Sequence, residues 1–230
     1  MKQRPEFSII FPVMNQADHI EKVVRSYHEI LSKNNISFEL IAVINGTTDT
    51  SFQICKQLEK KMSNFYAYGL EGKGFGLGIL HGLKKSSGNF LCYLNCARIS
   101  TEDLLSSLKY FLVNPAILVH GVRIRRDIPQ RTIFSLIYST LCRLIFNLKT
   151  WDVNGNPNIF SRELYEKLNL KFTDSMIDVE LQEKAQKMDI IVLEVPIHSY
   201  RRHGGISTTT FWTSFRLAKE VSAYFFKTGS

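Results

Sequence analysis

Short apolar runs alternate along the first half of the chain with longer segments in which apolar residues recur at helical spacing. The runs predict strands at residues 7–13, 38–44, 65–68, 90–94, 116–121 and 190–196. The periodic segments predict helices at residues 17–32, 48–61, 75–85, 101–112, 132–148, 176–188 and 209–226. This alternation is typical of an α/β protein in which helices cover both faces of a mostly parallel sheet.

The pattern changes after residue 121. The segment "VRIRRDIPQR" predicts a basic loop, and "TIFSLIYSTLCRLIFNL" predicts a helix that is apolar on nearly every side. At about 17 residues, and with Arg143 inside it, this helix falls short of the roughly 20 apolar residues that cross a bilayer. We expect it either to be buried or to lie at a membrane interface. The helix at residues 209–226 mixes aromatic and basic residues and is predicted to be amphipathic.

The length of 230 residues suits one domain. An excess of 29 Lys and Arg over 21 Asp and Glu gives a net charge of +8, which fits a nucleic acid, an anionic membrane surface or a phosphorylated ligand. The 4 cysteines show no CxxC spacing and are expected to be reduced core residues. The first apolar stretch is too short for a signal peptide, so we expect a cytoplasmic protein.

The segment "GKGFGLG" at residues 72–78 suggests a phosphate-binding loop but fits neither standard motif. A Walker loop needs Ser or Thr where Gly74 follows Lys73, and a dinucleotide fingerprint needs a glycine where Leu77 stands. Two interpretations remain. Either the turn brings backbone N–H groups and Lys73 close to a diphosphate, or it is an ordinary glycine-rich turn.

Two further segments carry candidate chemistry. The basic segment places four arginines close together, and guanidinium groups bind phosphate by paired hydrogen bonds, although a charge run is also common on plain solvated surface. In the helix "MIDVELQEKAQKM", the apolar stripe predicts that Asp178 leans into a pocket while Glu180 faces away. Asp178 is equally explained as an acid that complements the helix dipole.

In order along the chain, the segments "SIIFPVMNQADHIEKVV", "ELIAVINGTTDTS", "GKGFGLGILHGLKKSSGNFLCYLNCA", "VRIRRDIPQR", "WDVNGNPNIFSRELYEKL", "DVELQEKA" and "LEVPIHSYRRHGGIST" resemble glycosyltransferase family 2. The resemblance is to its branch related to dolichol-phosphate mannose synthase and bacterial polyprenyl-phosphate glycosyltransferases. It implies the GT-A fold, a Rossmann-like mostly parallel sheet flanked by helices, here with C-terminal amphipathic helices. It also implies a single domain, 1–230, with a nucleotide-sugar-binding half (1–121) and an acceptor half (122–230).

The resemblance implies roles for particular residues. Asp178 is the expected catalytic residue. Donor binding is expected from Pro12, Asn15, Asn45, Lys73 and Asn95. Acceptor binding is expected from Arg123, Arg125, Arg126, Arg131, Arg202 and Ser207. The implied partners are a nucleotide-sugar donor and either a polyprenyl phosphate, whose phosphate attacks the sugar directly, or another small acceptor.

The chain departs from the family pattern where that family holds a metal. The aspartates of the family's DxD motif fall on Asn95 and Ala97, and the acids of its second turn fall on Ile44 and Asn45. A hard divalent cation needs several anionic oxygens. We therefore expect no metal cofactor, with Mg²⁺ or Mn²⁺ at Asn95 and Ala97 as the alternative.

Three functional hypotheses follow. The first is an inverting glycosyltransferase with a degenerate DxD motif, which can also touch an anionic membrane surface at the inner face of the membrane. The second is a non-catalytic descendant that keeps the fold and binds a nucleotide, a lipid or a protein; the missing acids favour it. A nucleic-acid-binding protein rests only on charge and lacks the basic and aromatic motifs of known modules, so no nucleic-acid partner is expected.

Overall fold

Seven strands and seven helices occupy the residues that a computed structural model of the chain describes, 4–125 and 129–198. The strands are β1 (Phe7–Val13), β2 (Phe38–Asn45), β3 (Phe65–Leu70), β4 (Phe90–Tyr93), β5 (Leu118–Arg125), β6 (Asn158–Ser161) and β7 (Val192–His198). The helices are α1 (Ile20–Lys33), α2 (Ser51–Lys61), α3 (Phe75–Lys85), α4 (Thr101–Val113), α5 (Pro129–Phe146), α6 (Arg162–Leu168) and α7 (Ile177–Lys187).

All seven strands form one sheet in the order β3-β2-β1-β4-β6-β5-β7. Every pairing is parallel except those of β6, which runs antiparallel to both β4 and β5. The strand order reverses between β1 and β4, and in open α/β sheets such a reversal opens a crevice at the carboxyl ends of the strands. The predicted mostly parallel sheet is confirmed.

Alternate residues of the central strands enter two cores on opposite faces of the sheet. Phe11 belongs to the core under α1, α2 and α4, whereas Ile10 belongs to the core under α3, α6 and α7. A smaller cluster joins α5 to α7 through Tyr138, Cys142 and Val179. The four cysteines are buried and carry no disulfide, as expected for reduced core residues.

Helix α5 is buried on one side only. While Tyr138 and Cys142 pack inward, its opposite face exposes a stripe of large apolar side chains at helical spacing. This exposed α5 stripe consists of Ile133, Leu136, Ile137, Leu141 and Leu144, between 42% and 76% exposed. In the described ranges, no helix is both long and apolar enough to span a bilayer.

Several element bounds differ from the predicted ones for identifiable reasons. β5 does not end at Gly121, because Val122 and Arg123 continue to pair with β7, so the predicted basic loop begins inside a strand. β6 and α6 were not predicted, since their 4 and 7 residues are too few to show a clear period. The predicted helix at residues 209–226 lies outside the described residues.

Candidate active site

A buried carboxyl and a buried phenol meet on the α3–α7 side of the sheet. Asp178, in the first turn of α7, is 2% exposed, and its Oδ1 accepts a 2.8 Å hydrogen bond from the hydroxyl of Tyr93, the last residue of β4. Burial raises the pKa of Asp178 to about 7, although the Tyr93 hydrogen bond and the positive charge of Arg123 oppose the rise. Asp178 therefore points inward as predicted, and its carboxyl can exchange a proton near neutral pH.

Glu180 corrects the predicted orientation of this helix. It is also 2% exposed, and its Oε2 accepts from the backbone N–H groups of Lys171 and Phe172 at 2.8 and 2.9 Å, while Lys184 pairs with Oε1. The expectation that Glu180 faces away is wrong because nearly every side of α7 is buried, so an apolar stripe does not mark its only inner face. The carboxylate holds the segment that leads into α7.

Beside this pair, Arg123 of β5 is held by Asp152 in the loop before β6. The Nε and Nη2 atoms of Arg123 each lie 2.6 Å from a carboxylate oxygen of Asp152, and its backbone N–H donates to Oδ2 at 3.2 Å. The paired bonds use only one edge of the guanidinium. The remaining N–H donors can still contact a phosphate or carboxylate.

Buried polar groups fix the loop that carries Asp152. His120 of β5 is fully buried, with Nδ1 2.6 Å from Asn158 Oδ1 and Nε2 2.7 Å from the carbonyl oxygen of Asp152. Tyr93, Asn158 and His120 occupy the same level on three adjacent strands, β4, β6 and β5. The loop is therefore positioned directly beside the Tyr93–Asp178 pair.

Two amide oxygens of the same loop are buried without a hydrogen-bond partner among the described residues. They are Asn154 Oδ1 and Asn156 Oδ1. A buried acceptor left unsatisfied costs about 1–3 kcal/mol, and in native structures such a group calls for an explanation. Both oxygens can accept hydrogen bonds from hydroxyl or N–H groups of a substrate.

The turns after β1 and β2 are joined by side chains. Asn15 has a φ of +52°; its Oδ1 accepts from the Thr48 N–H at 2.8 Å and its own N–H donates to Thr47 Oγ1 at 2.8 Å. Asp49 Oδ2 accepts from the Ala17 N–H at 2.9 Å. These contacts form one ledge at the carboxyl ends of β1 and β2, where Asn15 is exposed and Pro12 is half-buried.

The glycine segment is bonded to protein rather than left open. Gly76 and Leu77 donate their N–H groups to the carbonyl oxygens of Asp174 and Thr173, at 3.2 and 2.7 Å. These two N–H groups are therefore taken by the protein itself, and the approach of Lys73 and the rest of the turn to a diphosphate stays a prediction. A Cβ at Gly74 would lie 2.3 Å from the Thr173 carbonyl oxygen, so the glycines serve a close backbone contact with residues 172–174.

Of the donor residues predicted in this region, Asn45 and Lys73 have different surroundings. Asn45 is buried, and its Nδ2 donates to the carbonyl oxygen of Gly74 at 2.8 Å. Lys73 is exposed in the turn itself. Asn45 therefore supports the turn, whereas Lys73 is free to reach a ligand above it.

The end of β4 does not offer a metal its usual ligands. Asn95 Oδ1 accepts from the Ala97 N–H at 3.2 Å, and the methyl group of Ala97 is fully buried. Within residues 4–125 and 129–198, no three His, Cys, Asp or Glu side chains gather as a cation would need. The expectation of no metal cofactor at Asn95 and Ala97 stays a prediction, with Mg²⁺ or Mn²⁺ as its alternative.

Only some of the remaining predicted acceptor residues lie in the described part of the chain. Arg125 is the last residue of β5 and Arg131 lies in the first turn of α5. Arg126, Arg202 and Ser207 lie outside the described residues. The roles of all five stay predictions.

Tyr93, His120 and Asp152 were not singled out from the sequence. Tyr93 stands in an apolar strand, where a functional phenol has the same pattern as a core aromatic. Asp152 lies in "WDVNGNPN", whose cluster of polar and turn-forming residues inside an otherwise apolar region was the available signal.

Comparison with known proteins agrees with this architecture. The family model described as "Glycosyl transferase family 2" matches residues 8–169. "Glycosyltransferase GlyA" of Streptococcus pneumoniae serotype 4 (strain ATCC BAA-334 / TIGR4) is 21% identical over 230 residues, covering 90% of this chain and 32% of its own length. This chain thus spans about a third of that curated relative.

Solved structures of glucosyl-3-phosphoglycerate synthase from Mycobacterium tuberculosis superpose on most of the chain. The complex with Mn²⁺, UDP-glucose and phosphoglyceric acid has a TM-score of 0.72 and 15% identity, and the match covers 97% of this chain and 79% of that one. The complex with Mn²⁺, UDP and phosphoglyceric acid has a TM-score of 0.71 and 16% identity, covering 95% and 76%. At such identities the likeness shows the fold, and the expected GT-A arrangement is confirmed.

Proposed function

This chain belongs to glycosyl transferase family 2, and from that premise we propose that it moves a sugar from a nucleotide-sugar donor to an acceptor held between Asp178 and Arg123. In this proposal residues 1–121 form the donor half and residues 122–230 the acceptor half. The observation that carries it is the buried Asp178 carboxyl, with its pKa raised to about 7 and its Oδ1 oriented by Tyr93.

The chemistry follows from the state of that carboxyl. A base whose pKa lies near the working pH is partly unprotonated and still binds a proton well. General-base catalysis by such a group raises the rate roughly 10²–10⁴-fold. Asp178 takes the proton of an acceptor hydroxyl while the hydroxyl oxygen attacks the anomeric carbon. The bond from that carbon to the diphosphate breaks, the diphosphate leaves with the electron pair, and the configuration inverts.

The donor is assigned to the ledge at the carboxyl ends of β1, β2 and β4. Pro12 and Asn15 border it, Asn95 closes it at β4, and Asn45 holds the turn from which Lys73 projects. The ammonium of Lys73 offsets the charge of the leaving diphosphate by electrostatic stabilisation. The synthase complexes contain Mn²⁺ with UDP, so the Mg²⁺ or Mn²⁺ alternative is tested directly below.

For the acceptor, we favour a small molecule that carries a hydroxyl and an anionic group. Phosphoglyceric acid in the synthase complexes has both. In this chain the open edge of Arg123, together with Arg125, Arg126, Arg131, Arg202 and Ser207, would hold the anionic group. Asn154 Oδ1 and Asn156 Oδ1 would accept from hydroxyl groups.

A lipid-linked phosphate is the second candidate acceptor, favoured by the exposed α5 stripe. The stripe lies on α5, which begins inside the basic segment at residues 122–131, so a bilayer-bound α5 would bring the arginines of that segment to the headgroup level. In this candidate the phosphate oxygen itself attacks the sugar and Asp178 is not required as a base. Dependence on Asp178 therefore distinguishes the two acceptors.

The test is release of nucleoside diphosphate from a panel of nucleotide sugars, with 3-phosphoglycerate and with a short polyprenyl phosphate as acceptors. Transfer to a hydroxyl acceptor that Asp178→Asn abolishes supports the first candidate. Transfer only to the polyprenyl phosphate, retained in Asp178→Asn, supports the second. Nucleotide-sugar binding by thermal shift without release from any donor would favour the non-catalytic alternative.

A further inference from the structure

A groove of about 170 Å³ lies between the N-terminal turns of α1 and α4, on the face of the sheet opposite to Asp178. Its walls include His19 just before α1 with Lys22 and Ser26 of α1, and Ile99 just before α4 with Thr101 and Glu102 of α4. The hydroxyl of Tyr27 donates to the Ile99 carbonyl oxygen at 2.7 Å and fixes the two walls to each other. The groove is therefore a built feature of the fold and lies apart from the proposed transfer site.

One residue that lines this groove carries a polar atom with no hydrogen-bond partner in the described part of the chain. His19 is 5% exposed, and its Nδ1 lies 2.6 Å from Asp18 Oδ1, which as a carboxylate oxygen accepts the Nδ1 proton. Its other ring nitrogen, Nε2, is buried with no hydrogen-bond partner among the described residues. Such an atom destabilises the protein unless something else bonds it, and His19 is one of the residues that line the groove.

A second cavity serves as a comparison for the groove that His19 lines. About 320 Å³ lies between α7 and β7, also lined by polar side chains. There, Gln182 bonds to Thr150 and to the Val153 carbonyl oxygen, and Gln186 bonds to the Lys149 N–H and the Asn147 carbonyl oxygen. The glutamine amides of that cavity bond to protein groups, whereas His19 Nε2 has no such bond among residues 4–125 and 129–198.

We propose that the α1–α4 groove is a carbohydrate-binding subsite that takes one sugar unit through its hydroxyl groups. A hydroxyl both donates and accepts, so it satisfies Nε2 whether or not that nitrogen carries a proton. The groove is smaller than the roughly 300–1,000 Å³ typical of sites for drug-sized ligands, which limits the occupant to a small unit such as one ring.

The charges and the apolar surface of the groove support the same ligand class. Lys22 donates and Glu102 accepts at its rim, while Val23 and Ile99 give an apolar surface for the C–H groups of a ring. The Glu102 carboxylate already bonds to its own N–H and to the Thr101 hydroxyl at the N-terminus of α4, and these bonds lower its pKa. A fixed negative charge there disfavours phosphate and favours a neutral polyol.

The subsite does not depend on transferase activity. It is joined to the donor ledge by the loop from β4 to α4, which carries Asn95 at one end and Ile99 at the other. A sugar in the groove is therefore held apart from the Asp178 carboxyl. Binding there can be measured whether or not the chain transfers sugar.

The test is NMR titration of the whole chain with glucose, galactose or N-acetylglucosamine, with inorganic phosphate as the comparison. We expect saturable shifts of the His19 ring protons and of the amides of residues 99–102 at millimolar sugar, and none at these positions with phosphate. Ser26→Leu fills the groove without removing His19 and should weaken binding at least tenfold. Ser32→Leu, the same change at an exposed site on α1 outside the groove, should leave binding unchanged.

Lys22→Met, at an exposed site, provides a second variant if Ser26→Leu unfolds, and it should weaken sugar binding several-fold. Lys33→Met is its control on the same helix. The subsite is disproved if no sugar gives saturable shifts at His19, if phosphate gives the larger ones, or if groove and control variants behave alike. Sugar-induced shifts confined to the amides around Asp178 would also overturn it while supporting the transfer site.

Discussion

The hydroxyl of Tyr93 and the carboxyl of Asp178 lie 2.8 Å apart, although 85 residues separate them along the chain. The contact joins the end of β4 to the first turn of α7 inside a dry part of the molecule. It gives the carboxyl one defined orientation and at the same time limits the rise in its pKa. Two predictions follow from this pair.

Asp178→Asn should abolish transfer to a hydroxyl acceptor, lowering kcat by roughly 10²–10⁴-fold, and should also change how stability depends on pH. Because the pKa rises from 3.8 to about 7 on folding, wild-type stability falls as pH rises between these values, by about 4 kcal/mol at most. Asparagine cannot ionise, so this decline should disappear. The measurement is the free energy of unfolding in urea for wild type and Asp178→Asn, at pH 5 and at pH 8.

The gain in stability of Asp178→Asn over wild type should therefore be larger at pH 8 than at pH 5. An equal difference at the two pH values would show that the carboxyl is ionised in the folded protein across this range. It would also remove the basis for Asp178 as a proton acceptor near neutral pH.

Tyr93→Phe should shift the pH profile of transfer. In wild type, kcat/KM for a hydroxyl acceptor should rise as pH increases through about 7, where Asp178 loses its proton. The Tyr93 hydrogen bond lowers that pKa, so its removal should move the inflection to higher pH. Tyr66→Phe, at a half-buried position on β3, is the control and should keep the wild-type profile. An unshifted inflection in Tyr93→Phe would contradict the assignment.

Arg123→Lys should both destabilise the fold and weaken acceptor use. Lysine cannot reproduce the paired 2.6 Å bonds to Asp152, whose side chain is 7% exposed, so we expect a loss of about 1–3 kcal/mol and a higher KM for the acceptor. Arg25→Lys is the matched control because its ion pair with Glu21 is half exposed, and it should cost less than about 0.5 kcal/mol.

Chemical denaturation and acceptor kinetics separate the two effects of Arg123→Lys. Destabilisation with an unchanged KM would assign Arg123 to structure alone. Arg125, Arg126 and Arg131 are then tested by their own Lys variants, each expected to raise the KM for the acceptor. Unchanged kinetics in all of them would leave the segment as solvated surface.

Donor turnover should continue in the presence of a chelator, because Asn95 and Ala97 do not supply the anionic oxygens that a divalent cation needs. The measurement is nucleoside diphosphate release with EDTA, and with added Mg²⁺ or Mn²⁺. Calorimetry provides the opposing outcome: tight, nucleotide-dependent metal binding that disappears in Asn95→Ala would show that this strand end is a metal site after all.

The exposed α5 stripe should bind vesicles that contain anionic lipid, and added salt should release the protein. The double variant Ile137→Glu with Leu144→Glu should lose flotation with such vesicles, since it places carboxylates in the stripe. Val113→Glu, at an 84% exposed apolar position on α4, is the control and should still float. Wild-type protein left in the soluble fraction at low salt would remove the membrane contact and, with it, the main support for a lipid acceptor.

The sequence predicted those elements whose hydrophobic pattern is set by their own residues and not by pairing with distant segments. β1 and α3 have the bounds expected from their apolar runs, and the inward position of Asp178 follows from the stripe of its helix. β6 could not be predicted, because its four residues owe their strand conformation to pairing with β4 and β5. Tertiary contacts of this kind leave no local periodicity.

The contrast between local patterns and tertiary contacts also explains which parts of the candidate site were predicted and which were missed. The ion pair between Arg123 and Asp152 joins positions 29 residues apart, and no spacing rule connects them. Glu180 shows the converse error, since a stripe predicts a single inner face and α7 is buried on nearly every side. The sequence thus indicated candidate segments, whereas the partners of Arg123 and Glu180 depend on tertiary contacts of the folded chain.

The backbone contact between the glycine segment and residues 172–174 has a consequence for recombination with related enzymes. Gly74 and Gly76 leave no room for a Cβ because the carbonyl oxygens of Thr173 and Phe172 stand 2.3 Å from where it would be. A chimera that imports the turn around Lys73 from a homologue with larger residues must therefore import the segment before α7 as well. The glycine segment and the segment before α7 therefore have to be exchanged together, and a crossover point placed between them should give chains that fold poorly.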